Sequence, residues 1–125
     1  MKRNNIEQRL IDFACLCILL TERLPASKAS QVLEHQLVRS ATASALNYGE
    51  AQAAESKADF IHKLKICLKE LRESRVSLII IRTKPILIGD LTDKACSECE
   101  ELVSILTKSI ITCQSNMQTS QRRSV

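Results

Sequence analysis

Between Asn47 and Lys63 the chain reads NYGEAQAAESKADFIHK, placing Glu50, Glu55, Asp59 and His62 within a few helical turns of one another. Carboxylates and an imidazole at such spacing could hold metal. Di-metal helical proteins do so with a Glu three residues before a His, used twice on facing helices. Here the motif occurs once and with Asp, as Asp59-Phe-Ile-His62, and the second histidine, His35, follows Val32 instead. Cys96-x-x-Cys99 is half of a zinc site, without two further ligands at matching spacing. No Ser, Cys or Lys stands in a pattern that marks a nucleophile with its base. The expectation is a non-enzymatic protein with no cofactor and no metal.

A second group is polar rather than catalytic. Ser40, Ser44 and Asn47 follow one another at 4-3 spacing and so share one helix face. Arg39, Tyr48 and Glu50 flank them. If that face is buried, its polar atoms must be hydrogen-bonded. Arg39, Ser40, Asn47, Tyr48 and Glu50 are therefore expected to form an inter-helix network that sets register and assembly.

Charge marks the third group. The net charge is +4, but residues 57–84 alone carry eight basic side chains against three acidic ones, while residues 1–56 carry six of each. Such a local excess attracts polyanions. The candidate nucleic-acid contacts are Lys63, Lys65, Lys69, Arg72, Arg75 and Arg82. The competing reading is a solvated helix face with internal pairs such as Lys69–Glu73.

These residues must be carried by helices. Two Gly and two Pro in 125 residues leave little for hairpins, and good helix formers such as Leu, Ala, Glu, Lys and Arg are abundant. Ile6, Leu10, Phe13, Cys17, Leu20 and Leu24 are spaced 4-3-4-3-4, as on a bundle helix that Pro25 closes. Phe60, Leu64, Cys67, Leu71, Ser74, Leu78 and Ile81 repeat the spacing. Between them, Val32, Leu33, Leu37 and Val38 lead into the small-residue tract Ser40–Ala45, which lets a neighbouring backbone approach closely. Ser27 or Ser30 is expected to cap the second helix and Ser56 the third. Pro85 and Gly89 bound a loop whose apolar Ile86-Leu87-Ile88 should cover a bundle end or a subunit contact. In the last helix, Leu102 or Val103, Leu106, Ile110, Cys113 and Met117 should face inward.

The prediction is an all-α, up-down-up-down four-helix bundle over residues 1–115, with helices at about 5–23, 28–54, 57–84 and 91–115. A flexible basic tail is expected over 116–125. The six cysteines lie within the helical patterns and are expected as reduced, packed thiols. Lys2 and Arg3 before the apolar run Phe13–Leu20 imitate a secretory leader, but Glu7, Arg9 and Asp12 interrupt it. No stretch approaches the ~20 apolar residues of a membrane span. A cytoplasmic, complete chain with no membrane partner is expected.

Arg39-Ser40 followed by Asn47-Tyr48-Gly49-Glu50-Ala51 resembles the signature of the 23S ribosomal RNA intervening-sequence proteins. Glu55-Ser56-Lys57-Ala58-Asp59-Phe60-Ile61-His62-Lys63, then Leu68-Lys69-Glu70-Leu71-Arg72-Glu73-Ser74, extend the likeness, and Glu101-Leu102 and Ile105-Leu106-Thr107-Lys108 echo it in the last helix. The resemblance implies a four-helix bundle assembled as a homopentameric ring. It also implies kinship with the accessory variability determinant of diversity-generating retroelements, a basic barrel that partners a reverse transcriptase and nucleic acid. Gly49 stands where the family often has a basic residue, and Val76 and Ser77 where it has aromatics. The functional expectation is an oligomeric accessory that binds RNA or DNA backbone through the basic third helix, with a reverse transcriptase as a further partner. The alternative is a protein–protein scaffold without a nucleic-acid role.

Overall fold

A computed structural model describes residues 5–124, with side chains to residue 119. Four helices account for nearly all of it: α1 (Asn5–Thr21), α2 (Lys28–Gln52), α3 (Lys57–Thr83) and α4 (Asp90–Ser124). α2 and α3 begin where a serine satisfies one of the free amide donors. Ser27 accepts from Ser30 N at 3.0 Å, and Ser56 from Asp59 N at 3.0 Å, both from an extended backbone. Asp90 and Asp93 place negative charge in the first turn of α4, where the helix dipole favours it.

The turns are equally local. α1 closes earlier than Pro25 requires, with Arg23 N and Leu24 N bonding back to Leu20 O and Thr21 O. Gly89, at φ +129°, takes a backbone conformation that a side chain would strain, and its carbonyl receives Asp93 N. Ahead of it, Ile86 and Leu87 pack onto the core and close that end of the bundle, whereas Ile88 stands in solvent.

α1 packs on α2 and α4, and α3 packs on α2 and α4; the backbones of α1 and α3 stay apart across the diagonal, as do those of α2 and α4. With short connections, this is a bundle whose sequential neighbours run antiparallel. The α2–α3 pairing is the most extensive and the α1–α4 pairing the sparsest. Leu10, Phe13, Cys17 and Leu20 from α1 meet Leu37 and Ala41 from α2, Leu64 through Ile81 from α3, and Ala95 through Ile110 from α4.

Val32 is 61% exposed, because it stands one residue off the inward line of Leu33 and Leu37. The fourth helix was expected to stop at 115, yet α4 continues to Ser124. Beyond Gly89 there is neither Gly nor Pro to end it. The expectation of a flexible tail over 116–125 meets continuous helix to Ser124, and Val125 lies outside the described residues. Among the described residues, no helix is long and apolar enough to cross a membrane.

Candidate nucleic-acid interface

α3 exposes one face and buries the other, and the six candidate cations divide along that line. Lys65, Lys69 and Arg72 follow 4-3 spacing, share the outward face and are exposed. Val76 continues the stripe and is also exposed. Arg75 and Arg82, seven residues apart, lie on the flank toward α4. Arg75 donates from Nε to Glu100 at 2.6 Å, while Arg82 is exposed. Lys63 turns to α2 and pairs with Glu50 at 2.7 Å. That hydrogen bond, with the attraction of the same carboxylate, pushes the Lys63 pKa up. Two of the six are thus held by acids, and four (Lys65, Lys69, Arg72 and Arg82) make no ion pair with a described acid.

The expected polar network lies along the α2–α3 seam, with its members in different roles. The hydroxyls of Ser40 and Ser74, each fully buried, are 2.7 Å apart, one donating to the other, and each is also placed to donate to a carbonyl of its own turn, Leu37 O for Ser40 and Glu70 O for Ser74. Small side chains at both positions let the two helices close to hydroxyl contact. Arg39 reaches across to Glu70, 3.2 Å away, and to Glu73. The Glu73 hydrogen bond leads in raising the Arg39 pKa, and Glu70 adds to it. Glu50 joins the seam through Lys63. Asn47 bonds instead to Ala43 O of its own helix, at 2.9 Å. Tyr48 is half-buried against the core and lines a hollow of about 440 Å³ with Phe60, Leu64 and Ile105.

One tie had no sequence signal. Arg9 of α1 grips Glu98 through two bonds, at 3.0 and 2.8 Å, and Glu101 at 2.9 Å. The bond to Glu98 is the main cause that raises the Arg9 pKa. The i,i+3 spacing of Glu98 and Glu101 was visible, but nothing local pointed to a partner some ninety residues away.

The cysteines are thiols without disulfides: Cys17, Cys67, Cys96 and Cys99 are buried, Cys113 is half-buried and Cys15 is exposed. Desolvation, then nearby Glu70, pushes Cys67 up to about 12; desolvation, then Glu100, does the same for Cys99. Cys99 Sγ donates to Leu71 O at 3.4 Å, which uses the proton that burial retains. Among the described residues, no three His, Cys, Asp or Glu side chains converge as metal ligands.

The structure therefore defines an all-helical bundle whose third helix turns an unpaired basic stripe outward. The chain belongs to the 23S rRNA-intervening sequence protein family, whose pattern matches residues 2–108. Among solved structures, it is similar to a protein of unknown function from the S23 ribosomal protein family of Bacteroides thetaiotaomicron VPI-5482. The two share 26% identity and a TM-score of 0.73, over 84% of this chain and 97% of that one. None of the curated proteins matches.

Proposed function

We propose that this protein is a non-enzymatic, oligomeric, cytoplasmic accessory that binds the phosphate backbone of RNA or DNA through α3. The observation that carries the reading is the division of the basic helix. Lys63 and Arg75 are held by Glu50 and Glu100, while Lys65, Lys69, Arg72 and Arg82 are exposed and hold no described carboxylate. Cations free of internal partners are those that can release counterions from a polyanion. A ring such as the pentamer implied by the family resemblance would repeat this modest patch, and avidity would raise its affinity without new contacts. The surface offers few aromatics for base stacking, which favours backbone contact over sequence readout.

The test is a mobility-shift titration of nuclease-treated protein with a structured RNA and a duplex DNA across a salt series. Binding is expected at low salt, falling with a log–log slope of about 0.9 per phosphate contact on the duplex. Lys65→Glu with Arg82→Glu should weaken it on every sequence tried. Absence of binding at low salt, or binding indifferent to salt, would leave the scaffold reading. The exposed apolar groove between α2 and α3 is the observation that favours that alternative.

A further inference from the structure

α1 is apolar on two faces. Leu10, Phe13, Cys17 and Leu20 are buried inward, yet Ile11, Ile18 and Leu19 stand 43, 37 and 41% exposed on the other side, with exposed Cys15 between them. A helix apolar all round is normally buried all round. A second apolar surface lies between α2 and α3, where Val32, Val76 and Ile80 are 61, 54 and 45% exposed around a groove of about 690 Å³.

The two surfaces match in place, charge and length. The backbones of α1 and α3 do not approach each other, so the two helices occupy opposite corners of the bundle and their outer faces point away from each other. Along α1 and just past its end the order is acid, apolar, acid: Asp12, then Ile18 and Leu19, then Glu22, both acids being exposed. Along α3 and its C-cap it is base, apolar, base: Lys69 and Arg72, then Val76 and Ile80, then Lys84, all three bases being exposed, while Glu73, which also lines the groove, is held by Arg39. Asp12 to Glu22 spans about 15 Å and Arg72 to Lys84 about 18 Å at ~1.5 Å per residue. α1 and α3 run in the same direction in an up-down bundle. Rotation about an axis along the bundle preserves that direction, so the α1 of one copy would lie parallel to the α3 of the next.

We propose that the α1 outer stripe of one copy seats in the α2–α3 groove of a second copy of this chain, making a head-to-tail interface. It rests on the oligomer in the reading above and deepens it. Different patches meet, so the contact propagates and closes as a ring when the rotation per copy allows. It also divides the cations: Lys69 and Arg72 serve the junction, and phosphate contact in the assembly falls to Lys65 and Arg82.

The experiment is light scattering of nuclease-treated protein, with no nucleic acid present, on variants of exposed residues whose helix content is checked by circular dichroism. Ile18→Asp spoils the stripe and keeps the groove, and Val76→Asp spoils the groove and keeps the stripe. Each alone should be a 14.0 kDa monomer, while an equimolar mixture should give a species of twice that mass and nothing larger. Charge exchange is the second arm: Asp12→Arg should reduce assembly and Arg72→Asp should restore it in the same chain. A monomeric wild type, a Val76→Asp variant of unchanged size, or a mixture that stays monomeric would each overturn the interface. Nucleic-acid affinity enters none of these readouts, so a failure of phosphate binding leaves the interface standing, and the reverse.

Discussion

Two seams of the bundle use the same device and are otherwise unlike. On α2–α3, Arg39 grips Glu70 and Glu73; on α1–α4, Arg9 grips Glu98 and Glu101. Each arginine thus forks to a carboxylate pair spaced i,i+3 on the facing helix. Around Arg39 the helices close to a Ser40–Ser74 hydroxyl contact, and Lys63–Glu50 adds a third ion pair. Around Arg9 the pairing is sparse, and a hollow of about 580 Å³ opens between Phe13, Leu16, Leu19 and Lys94. Ion pairs with exposed members contribute little by themselves, so the difference in strength lies in packing. α2–α3 is a rigid frame, and α1 is fastened to it mainly by its buried apolar side chains.

The largest effect should come from breaking that fastening. Phe13 is 1% exposed and is the largest fully buried side chain. Phe13→Ala should cost about 3–5 kcal/mol in urea unfolding, the sum of lost transfer energy and a cavity. Hydrogen exchange should accelerate most in α1, ahead of α2 and α3. Uniform acceleration across all four helices would show that α1 is no weaker than the frame. Next in size is an assault on the frame itself. Ser74 is fully buried against Ser40, so Ser74→Leu forces the helices apart and should cost about 1–3 kcal/mol, read as a lower urea midpoint. Ser40→Ala with Ser74→Ala removes both polar partners together and should be nearly neutral.

The third prediction separates core from seam by pH. Cys67 and Cys99 are pushed up to about 12 in the folded protein, so the folded state holds their protons more tightly than the unfolded state does. Their contribution is fully present below the ordinary thiol value near 9 and is lost as pH rises from there toward 12. At pH 10 the loss should be on the order of 1 kcal/mol per thiol relative to neutral pH. Cys67→Ala should flatten the decline by one thiol's share; an unchanged slope would show that other groups cause it.

The inward faces were legible because close packing imposes a period. The 4-3 spacing of Leu10, Phe13, Cys17 and Leu20, and of Leu64, Cys67, Leu71, Ser74 and Leu78, corresponds to the buried residues. Ser27 and Ser56 were legible as caps because a hydroxyl three residues before a free amide acts locally. Arg9 was not legible, because pairing across the bundle leaves no periodic trace. The full reach of α4 was missed for a related reason. Its polar residues past 115 carry no apolar period, so only the lack of a breaker indicated continuation. In the candidate interface, the basic excess of α3 was plain from composition. Which lysine is held by which acid depends on neighbours from other helices, as Lys63 with Glu50 shows.

The smallest effect has the opposite sign and tests the comparison from α1's side. Gly49 lies inside α2, has no positive φ, and faces α1. A Cβ placed there would meet Glu7 Oε2 at 3.8 Å, an ordinary contact. Nothing in its backbone or surroundings calls for glycine, and glycine inside a helix costs up to about 1 kcal/mol relative to alanine. Gly49→Ala should therefore raise stability by a few tenths to about 1 kcal/mol, seen as a higher urea midpoint with unchanged slope. Added carbon atoms would then stabilise α2 where it faces α1 and destabilise its seam with α3 at Ser74. A loss at Gly49 comparable with that of Ser74→Leu would mean that α2 is packed equally tightly on both sides, and the contrast between the seams would have to rest on their ion pairs instead.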